Sequence, residues 1–179
     1  QEKSGQLGIH AYDEEATLVG QGTVAREWQE QCPEIDTVLV AVGGGGLIGG
    51  MAAWYQGDVK VVACEPKRSC AYHEADTQGS PVDVSIDGIA ADSLGARRIG
   101  SLMFPIAQQF VAESVVVDDE EIVRAQCALW SEVQVMAEPG GATALAALLS
   151  GAYTPEPGER VGVLICGGNT STLSVLGQC

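Results

Sequence analysis

The sequence predicts an α/β fold with a mostly parallel sheet and helices on both faces. Two observations indicate it. A β-branched apolar run at residues 35–42 is followed by four glycines, a helical stretch at 47–57 and a second apolar run at 58–65. That order is typical of a βαβ unit, whose strands run parallel and are covered on both faces. A third apolar run, at residues 160–166, also ends in a glycine turn.

Further helices flank this unit along the chain. Residues 13–32 carry acids early and apolar side chains at near-helical spacing, and the glycines at 20 and 22 place the predicted helix start near Gly22. Most of residues 66–100 is predicted to be loop, with one helix near 69–76. A Pro-interrupted helix is predicted at residues 100–110 and a short strand at 114–117. Two well-marked helices are predicted at 118–133 and 138–151, and a last helix follows the second glycine turn.

Composition narrows the functional classes. The chain has 179 residues, 46% of them hydrophobic, which favours one domain at 1–179 with a real core. Nine Lys plus Arg against 24 Asp plus Glu give a net charge of −15, which argues against binding to nucleic acid or to an anionic membrane surface. No apolar run approaches the roughly 20 residues of a transmembrane helix, and the N-terminus lacks a signal-peptide layout, so we expect a cytoplasmic protein.

The cysteines and histidines show no metal-site spacing. No CxxC pair occurs, and His10 and His73 are not spaced as ligands on one helix. Several cysteines lie inside apolar runs, so buried, reduced thiols are expected in preference to a disulfide framework or a zinc site. The cysteines are Cys32, Cys64, Cys70, Cys127, Cys166 and Cys179.

The four consecutive glycines favour binding of an anion. Without side chains, backbone N–H groups can approach a ligand closely, and the following helix adds the positive end of its dipole. Phosphate is the natural ligand of such a turn. Both glycine turns follow predicted parallel strands, and the carboxyl edge of such a sheet is where ligands bind.

A dinucleotide site is an alternative interpretation of the same residues. Gly44, Gly46 and Gly49 fit the pattern G-x-G-x-x-G, and Glu65 follows about 20 residues later, where a ribose-binding acid belongs. The pattern leaves two further glycines and the second glycine turn unexplained. A Walker-type loop matches less well still, because no Gly-Lys-Ser or Gly-Lys-Thr follows the glycines.

Five segments, in order, carry a resemblance to a known family. They are "VGGGGLIGG", "CEP", "DGIA", "EPGGATALAAL" and "CGGN". This ordered set resembles the second half of the fold type II pyridoxal-phosphate enzymes, specifically the serine/threonine dehydratase and serine racemase group. The resemblance covers nearly the whole chain. It implies an incomplete large-domain portion of a tryptophan synthase β-like fold, with pyridoxal 5′-phosphate as cofactor.

The resemblance implies roles for residues of both glycine turns. Cys166 would lie beside the pyridine nitrogen, where a neutral thiol favours β-elimination over other fates. The phosphate of the cofactor would accept hydrogen bonds from the backbone of Gly43, Gly44, Gly45, Gly46 and Leu47.

Three further positions match family motifs. Gly88, in "IDGIA", and Glu138, in "EPGGA", would line the cofactor pocket, although Glu138 is equally explained as a first-turn helix acid. Glu65 matches the first ligand of a metal site found in racemase-like members. Ala71 stands where those members have a second carboxylate, so no metal is assigned.

The lysine that forms a Schiff base in this family has no counterpart here. That lysine lies in a Ser-x-Lys-x-Arg-Gly-Ala setting near the N-terminus of the full enzymes. The chain contains Lys3, Lys60 and Lys67, and none of them matches. We therefore expect the chain to be the C-terminal half of such an enzyme, inactive alone, with the N-terminal half truncated or on a separate chain.

Together these observations predict a lyase that converts serine or threonine to a 2-oxo acid and ammonia. A homo-oligomer is expected, and an exposed sheet edge should invite pairing with another chain. The alternatives are a serine racemase-type enzyme, an NAD-dependent oxidoreductase and a non-catalytic binding module.

Overall fold

The computed structural model describes residues 8–179, which form eight helices and four strands. In chain order they are α1 (Glu15–Gln31), β1 (Thr37–Ala41), α2 (Gly46–Tyr55), β2 (Lys60–Pro66), α3 (Ala71–Gln78), α4 (Ala91–Leu94), α5 (Met103–Phe110), β3 (Val111–Val117), α6 (Asp119–Val133), α7 (Pro139–Ser150), β4 (Val161–Val163) and α8 (Thr172–Leu176).

The four strands form one sheet in the order β3-β2-β1-β4, and every neighbouring pair is parallel. Leu39 of β1 pairs with Val62 of β2 on one side and with Val163 of β4 on the other. The predicted parallel sheet is confirmed, and β1 lies inside it. Both glycine turns therefore start from neighbouring strands at the same edge.

Helices cover both faces of the sheet, as predicted. Val38 and Val40 of β1 belong to a hydrophobic core with residues of α1, α2, α3 and α5. Leu39, between them in sequence, packs into a second core with residues of α6 and α7. This alternation is what a pleated strand requires, because successive side chains point to opposite faces.

Helix α1 begins at Glu15, seven residues before the predicted start at Gly22. Both glycines that suggested a late start lie inside the helix. Gly22 is buried against Gly50 of α2, and a Cβ built at Gly22 would lie 3.0 Å from the Gly50 carbonyl oxygen. The glycine therefore allows two helices to approach closely and does not mark a helix end.

Two other elements differ from their predictions. Helix α5 runs without interruption, because Pro105 is its third residue, and a first-turn N–H has no partner within the helix. Strand β4 was expected to be buried on both faces. All three of its residues are only half-buried, because β4 is the edge strand of the described sheet.

The prediction of reduced cysteines is wrong for one pair. Cys127 of α6 and Cys179 form a disulfide, with Cα atoms 5.6 Å apart. Packing of α8 against α6 brings these residues together from a sequence separation of 52. Cys64 is buried as expected, but Cys32 and Cys166 are exposed because they follow the ends of α1 and β4.

The structure shows no membrane-spanning helix between residues 8 and 179, where no helix combines sufficient length with sufficient hydropathy.

Candidate functional site

The first glycine turn connects the carboxyl end of β1 to the amino end of α2. Gly45 is the N-cap of α2 and has φ +90°, a left-handed conformation that side-chain-bearing residues rarely adopt. Helix α2 then begins at Gly46, within the turn itself. The sequence "GGGGL" therefore folds as a sharp strand-to-helix turn whose backbone enters the first helical turn.

The backbone N–H groups of this turn have no acceptors within the described part of the chain. From Gly43 to Leu47, no N–H donates a hydrogen bond to a backbone or side-chain atom of residues 8–179. Helix starts leave their first amides unpaired, and here the three glycines before the helix, Gly43 to Gly45, extend that row of donors. Such a row at the positive end of a helix suits an anion.

Surrounding segments pack tightly on the glycines. A Cβ at Gly43 would lie 3.0 Å from the Leu94 carbonyl oxygen, and one at Gly45 would lie 2.7 Å from Met103 Cε. The ring of Tyr12 occupies the space that a side chain at Gly44 would need. The glycines are thus required by close packing, and only main-chain atoms remain to meet a ligand. This arrangement fits a phosphate group.

The second glycine turn follows β4, next to the first. Leu164 extends the pairing by donating its N–H to the Leu39 carbonyl oxygen at 3.1 Å, and Cys166 follows two residues later. The residue as a whole is exposed, but protein atoms around the sulfur partly desolvate it, which raises the pKa of Cys166, and the nearby Glu138 carboxylate adds to the shift. Cys166 is therefore a neutral thiol at neutral pH.

Glu138 lies beside this second turn. It is the N-cap residue of α7, its N–H donates to the Gly167 carbonyl oxygen at 3.1 Å, and its carboxylate lies against the Cα of Gly167. Its side chain makes no cap hydrogen bond to α7. The structure thus brings Glu138 and Cys166 together.

Helix α4 connects the first glycine turn to the amino end of α7. Ser93 Oγ accepts a hydrogen bond from the Gly140 N–H at 3.1 Å, while the backbone of Leu94 lies against Gly43. No sequence signal pointed to this role, since residues around Ser93 and Leu94 were predicted to be loop. The connection holds the amino end of α7 near the first glycine turn.

Gly88 lies elsewhere at this edge, among charged side chains. Its φ is +88°, and a Cβ there would lie 2.8 Å from Asp119 Oδ1 and 3.3 Å from Arg68 Cβ. Arg68 forms ion pairs with Asp87 and with Asp119. The structure thus gives Gly88 a role in the backbone of its own turn, beside Arg68 and Asp119.

Glu65 binds the backbone of α3, a role different from the ribose-binding and metal-ligand roles considered from the sequence. It is completely buried at the end of β2, and its two carboxylate oxygens accept the N–H groups of Tyr72 and His73 at 2.9 and 2.7 Å. It therefore caps α3. Burial raises the pKa of Glu65 to about 8, against the lowering effect of these two hydrogen bonds. Within residues 8–179, no three His, Cys, Asp or Glu side chains are placed to hold a metal ion.

Comparison with known proteins identifies the chain's relatives. Residues 1–167 match the family described as pyridoxal-phosphate dependent enzyme. A serine racemase of Oryza sativa subsp. indica is 34% identical over 94% of the chain and 52% of the relative. An L-threonine ammonia-lyase of Geobacter sulfurreducens is 35% identical over 98% of the chain and 45% of the relative. The chain thus spans about half the length of these relatives.

Comparison of the fold with solved structures points to the same family. The structure of maize serine racemase matches with a TM-score of 0.91 at 34% identity, covering 99% of this chain and 57% of the maize chain. The dinucleotide interpretation is therefore wrong, in keeping with Gly49 packing against Met103 and Glu65 being engaged by α3. The protein belongs to the fold type II pyridoxal-phosphate-dependent enzymes, in the group that contains serine racemases and threonine dehydratases.

Proposed function

We propose that the chain provides the phosphate-binding side of an enzyme that eliminates the hydroxyl group of serine or threonine, giving a 2-oxo acid and ammonia. The observation that carries this proposal is the row of unpaired N–H groups from Gly43 to Leu47, at the amino end of α2. A row of free amide donors at the positive end of a helix dipole suits the anionic oxygens of a phosphate monoester.

Cys166 supports elimination as the reaction type. Bound pyridoxal phosphate supplies an electron sink for the α-carbon of an amino acid. Partial desolvation and the Glu138 carboxylate raise the pKa of Cys166, so its sulfur keeps its proton. We place this neutral thiol beside the ring nitrogen, where, unlike a carboxylate, it does not hold that nitrogen protonated. Glu138 fixes the turn through its N–H bond to Gly167.

The two lysines in the described residues are engaged elsewhere. Lys60 begins β2, at the opposite edge of the sheet, and pairs with Glu113 at 3.3 Å. Lys67 pairs with Asp118 at 3.2 Å, beside β3. We therefore propose that the Schiff-base lysine comes from a polypeptide segment outside this chain, and that the chain alone is inactive.

Racemisation of serine is the second candidate, favoured by the rice and maize relatives, both of which are serine racemases. To separate the two activities, the chain is mixed with an N-terminal segment that carries the lysine motif. Release of 2-oxo acid from L-serine or L-threonine supports elimination, and formation of D-serine without 2-oxo acid supports racemisation. If neither product forms although the two segments associate and cofactor binds, the result supports a non-catalytic binding module.

The phosphate site is tested on the chain itself by comparing its affinities for pyridoxal phosphate and for pyridoxal, which lacks the phosphate. Alanine rarely adopts the φ of +90° found at Gly45, so Gly45→Ala should turn this N–H away from the ligand. Losing that one charge-assisted hydrogen bond should lower the affinity for pyridoxal phosphate about tenfold and leave the affinity for pyridoxal unchanged. The matched control is Gly57→Ala. Gly57 has φ +94° at the far end of α2, with open space around it. Equal losses in both variants would refute the proposal.

A further inference from the structure

Asp13 ties the segment before α1 to the segment before α5. Its carboxylate accepts the Leu102 N–H at 2.9 Å through one oxygen and the Ser101 hydroxyl at 2.8 Å through the other. The N–H of Asp13 in turn donates to His10 Nδ1 at 2.9 Å. Both carboxylate oxygens are therefore used in positioning main chain and side chain ahead of α5.

The next residue in this connection is Gly100. Its N–H donates to the Gly44 carbonyl oxygen at 3.0 Å. A Cβ at Gly100 would lie 3.0 Å from Asp13 Oδ1 and 3.3 Å from that same carbonyl oxygen. Gly100 is thus held between the Asp13 carboxylate and the glycine turn, with no room for a side chain.

The bond to the Gly44 carbonyl determines which way the next amide points. The peptide between Gly44 and Gly45 is planar and trans, so its C=O and N–H point in opposite directions. With the oxygen held toward Gly100, the N–H of Gly45 is directed to the other side. Without that bond, two glycines in succession leave this peptide plane free to rotate.

We infer that Asp13 is a positioning residue for the anion-binding turn: through Ser101, Leu102 and Gly100 it fixes the Gly44–Gly45 peptide so that the Gly45 amide faces the ligand. This inference rests on the proposed phosphate role of the turn. Asp13 itself touches neither Gly45 nor the proposed ligand, and its action passes through the backbone.

Because Asp13 is negatively charged, a positioning role and a purely electrostatic role predict opposite effects of removing its side chain. Partial burial alone would raise the pKa of Asp13, but hydrogen bonds from Leu102 and Ser101 hold it below its ordinary value, so Asp13 is an anion at neutral pH. A negative charge near an anion site weakens binding by repulsion. If charge dominated, removing Asp13 would improve phosphate affinity; if positioning dominates, removal weakens it.

The test is a titration of the isotope-labelled chain with inorganic phosphate and with pyridoxal phosphate, following the amide resonances of Gly44, Gly45 and Gly46 by NMR. We expect Asp13→Ala to lower the affinity for both ligands about tenfold, with no change for pyridoxal. Asp13→Asn keeps an oxygen acceptor for the Leu102 N–H and should stay within about twofold of the unsubstituted chain.

The matched control is Asp36→Ala. Asp36 also accepts a backbone N–H and a guanidinium, both from Arg160, but lies before β1 at the opposite edge of the sheet. Phosphate affinity should be unchanged in this variant. If Asp13→Ala does not fold, Ser101→Ala removes one of the two bonds and should still lower phosphate affinity about threefold.

The outcomes separate the two proposals. If phosphate does not shift the glycine amides of the unsubstituted chain, the proposed phosphate site is wrong. If phosphate shifts them and Asp13→Ala or Ser101→Ala binds phosphate as tightly as the unsubstituted chain, the positioning role is refuted. Equal weakening by Asp13→Asn and Asp13→Ala would also refute it, because the oxygen acceptor that Asn retains would then make no difference.

Discussion

The contact between α1 and α2 predicts opposite effects for two glycine-to-alanine substitutions. Gly50 of α2 is buried against α1, and a Cβ there would lie 2.6 Å from the backbone nitrogen of Gly22 and closer still to the carbonyl oxygen of Leu18. Gly20 lies in α1 as well, but a Cβ there would have nothing within 4 Å. Gly50→Ala should therefore destabilise the chain, and Gly20→Ala should stabilise it.

The magnitudes follow from the geometry. A methyl group packs about 3.5 Å from its neighbours, so at Gly50 the two helix backbones must separate by about 1 Å. Overpacking of this kind costs about 3 kcal/mol, and the better helix propensity of alanine returns about 1 kcal/mol. The net loss for Gly50→Ala is then about 2 kcal/mol. For Gly20→Ala only the propensity gain remains, about 0.5–1 kcal/mol.

Urea denaturation measures both effects. With a slope of about 2 kcal/mol per molar urea, the unfolding midpoint should fall by about 1 M for Gly50→Ala and rise by up to about 0.5 M for Gly20→Ala. Equal midpoints for Gly50→Ala and the unsubstituted chain would refute the claim that backbone contact, and not helix propensity, explains the glycine at this position.

Other features give three further predictions. The disulfide Cys127–Cys179 closes a separation of 52 residues. Cys127→Ser should therefore lower the free energy of unfolding by up to about 4 kcal/mol in non-reducing buffer and not at all in reducing buffer. An equal free energy of unfolding for this variant and the unsubstituted chain in non-reducing buffer would contradict this. Burial raises the pKa of Glu65 from 4.5 to about 8, so the folded chain binds this proton more tightly than the unfolded chain. The stability from Glu65 is complete below about pH 4.5 and is lost as pH rises through about 8, at no more than about 1.4 kcal/mol per pH unit. The free energy of unfolding, measured by denaturation at several pH values, should therefore vary less with pH in Glu65→Gln. Gly88→Ala, at φ +88° beside the Asp119 carboxylate, should cost about 1–3 kcal/mol in the same denaturation assay, and an unchanged midpoint would show that the turn relaxes freely.

Elements marked by local residue chemistry were predictable from the sequence. Helix α7 was expected at residues 138–151 and is found at Pro139–Ser150, because a proline at its first position and a glycine after its last residue act locally. The apolar run 35–42 contains strand β1, and the glycine turn after it begins α2. The parallel order of strands follows from the same βαβ pattern.

Features that depend on distant residues were not predictable. Gly22 resembles a helix boundary until Gly50 is seen against it. Glu65 matches both a ribose-binding acid and a metal ligand in sequence, and only the position of α3 shows that its oxygens are already used. Asp13 shortly precedes α1 in sequence, but its carboxylate binds residues ahead of α5, up to 89 residues away.

The edge position of β4 implies that the two ends of the candidate site differ in rigidity. Amides of β1 lie between two paired strands, whereas those of β4 have partners on one side within the described residues. Deuterium exchange should therefore be slow in β1 and much faster in residues 161–163. Gly43 extends from the better protected strand and Cys166 from the less protected one. The end of the candidate site at Gly43 is then held more rigidly than the end at Cys166.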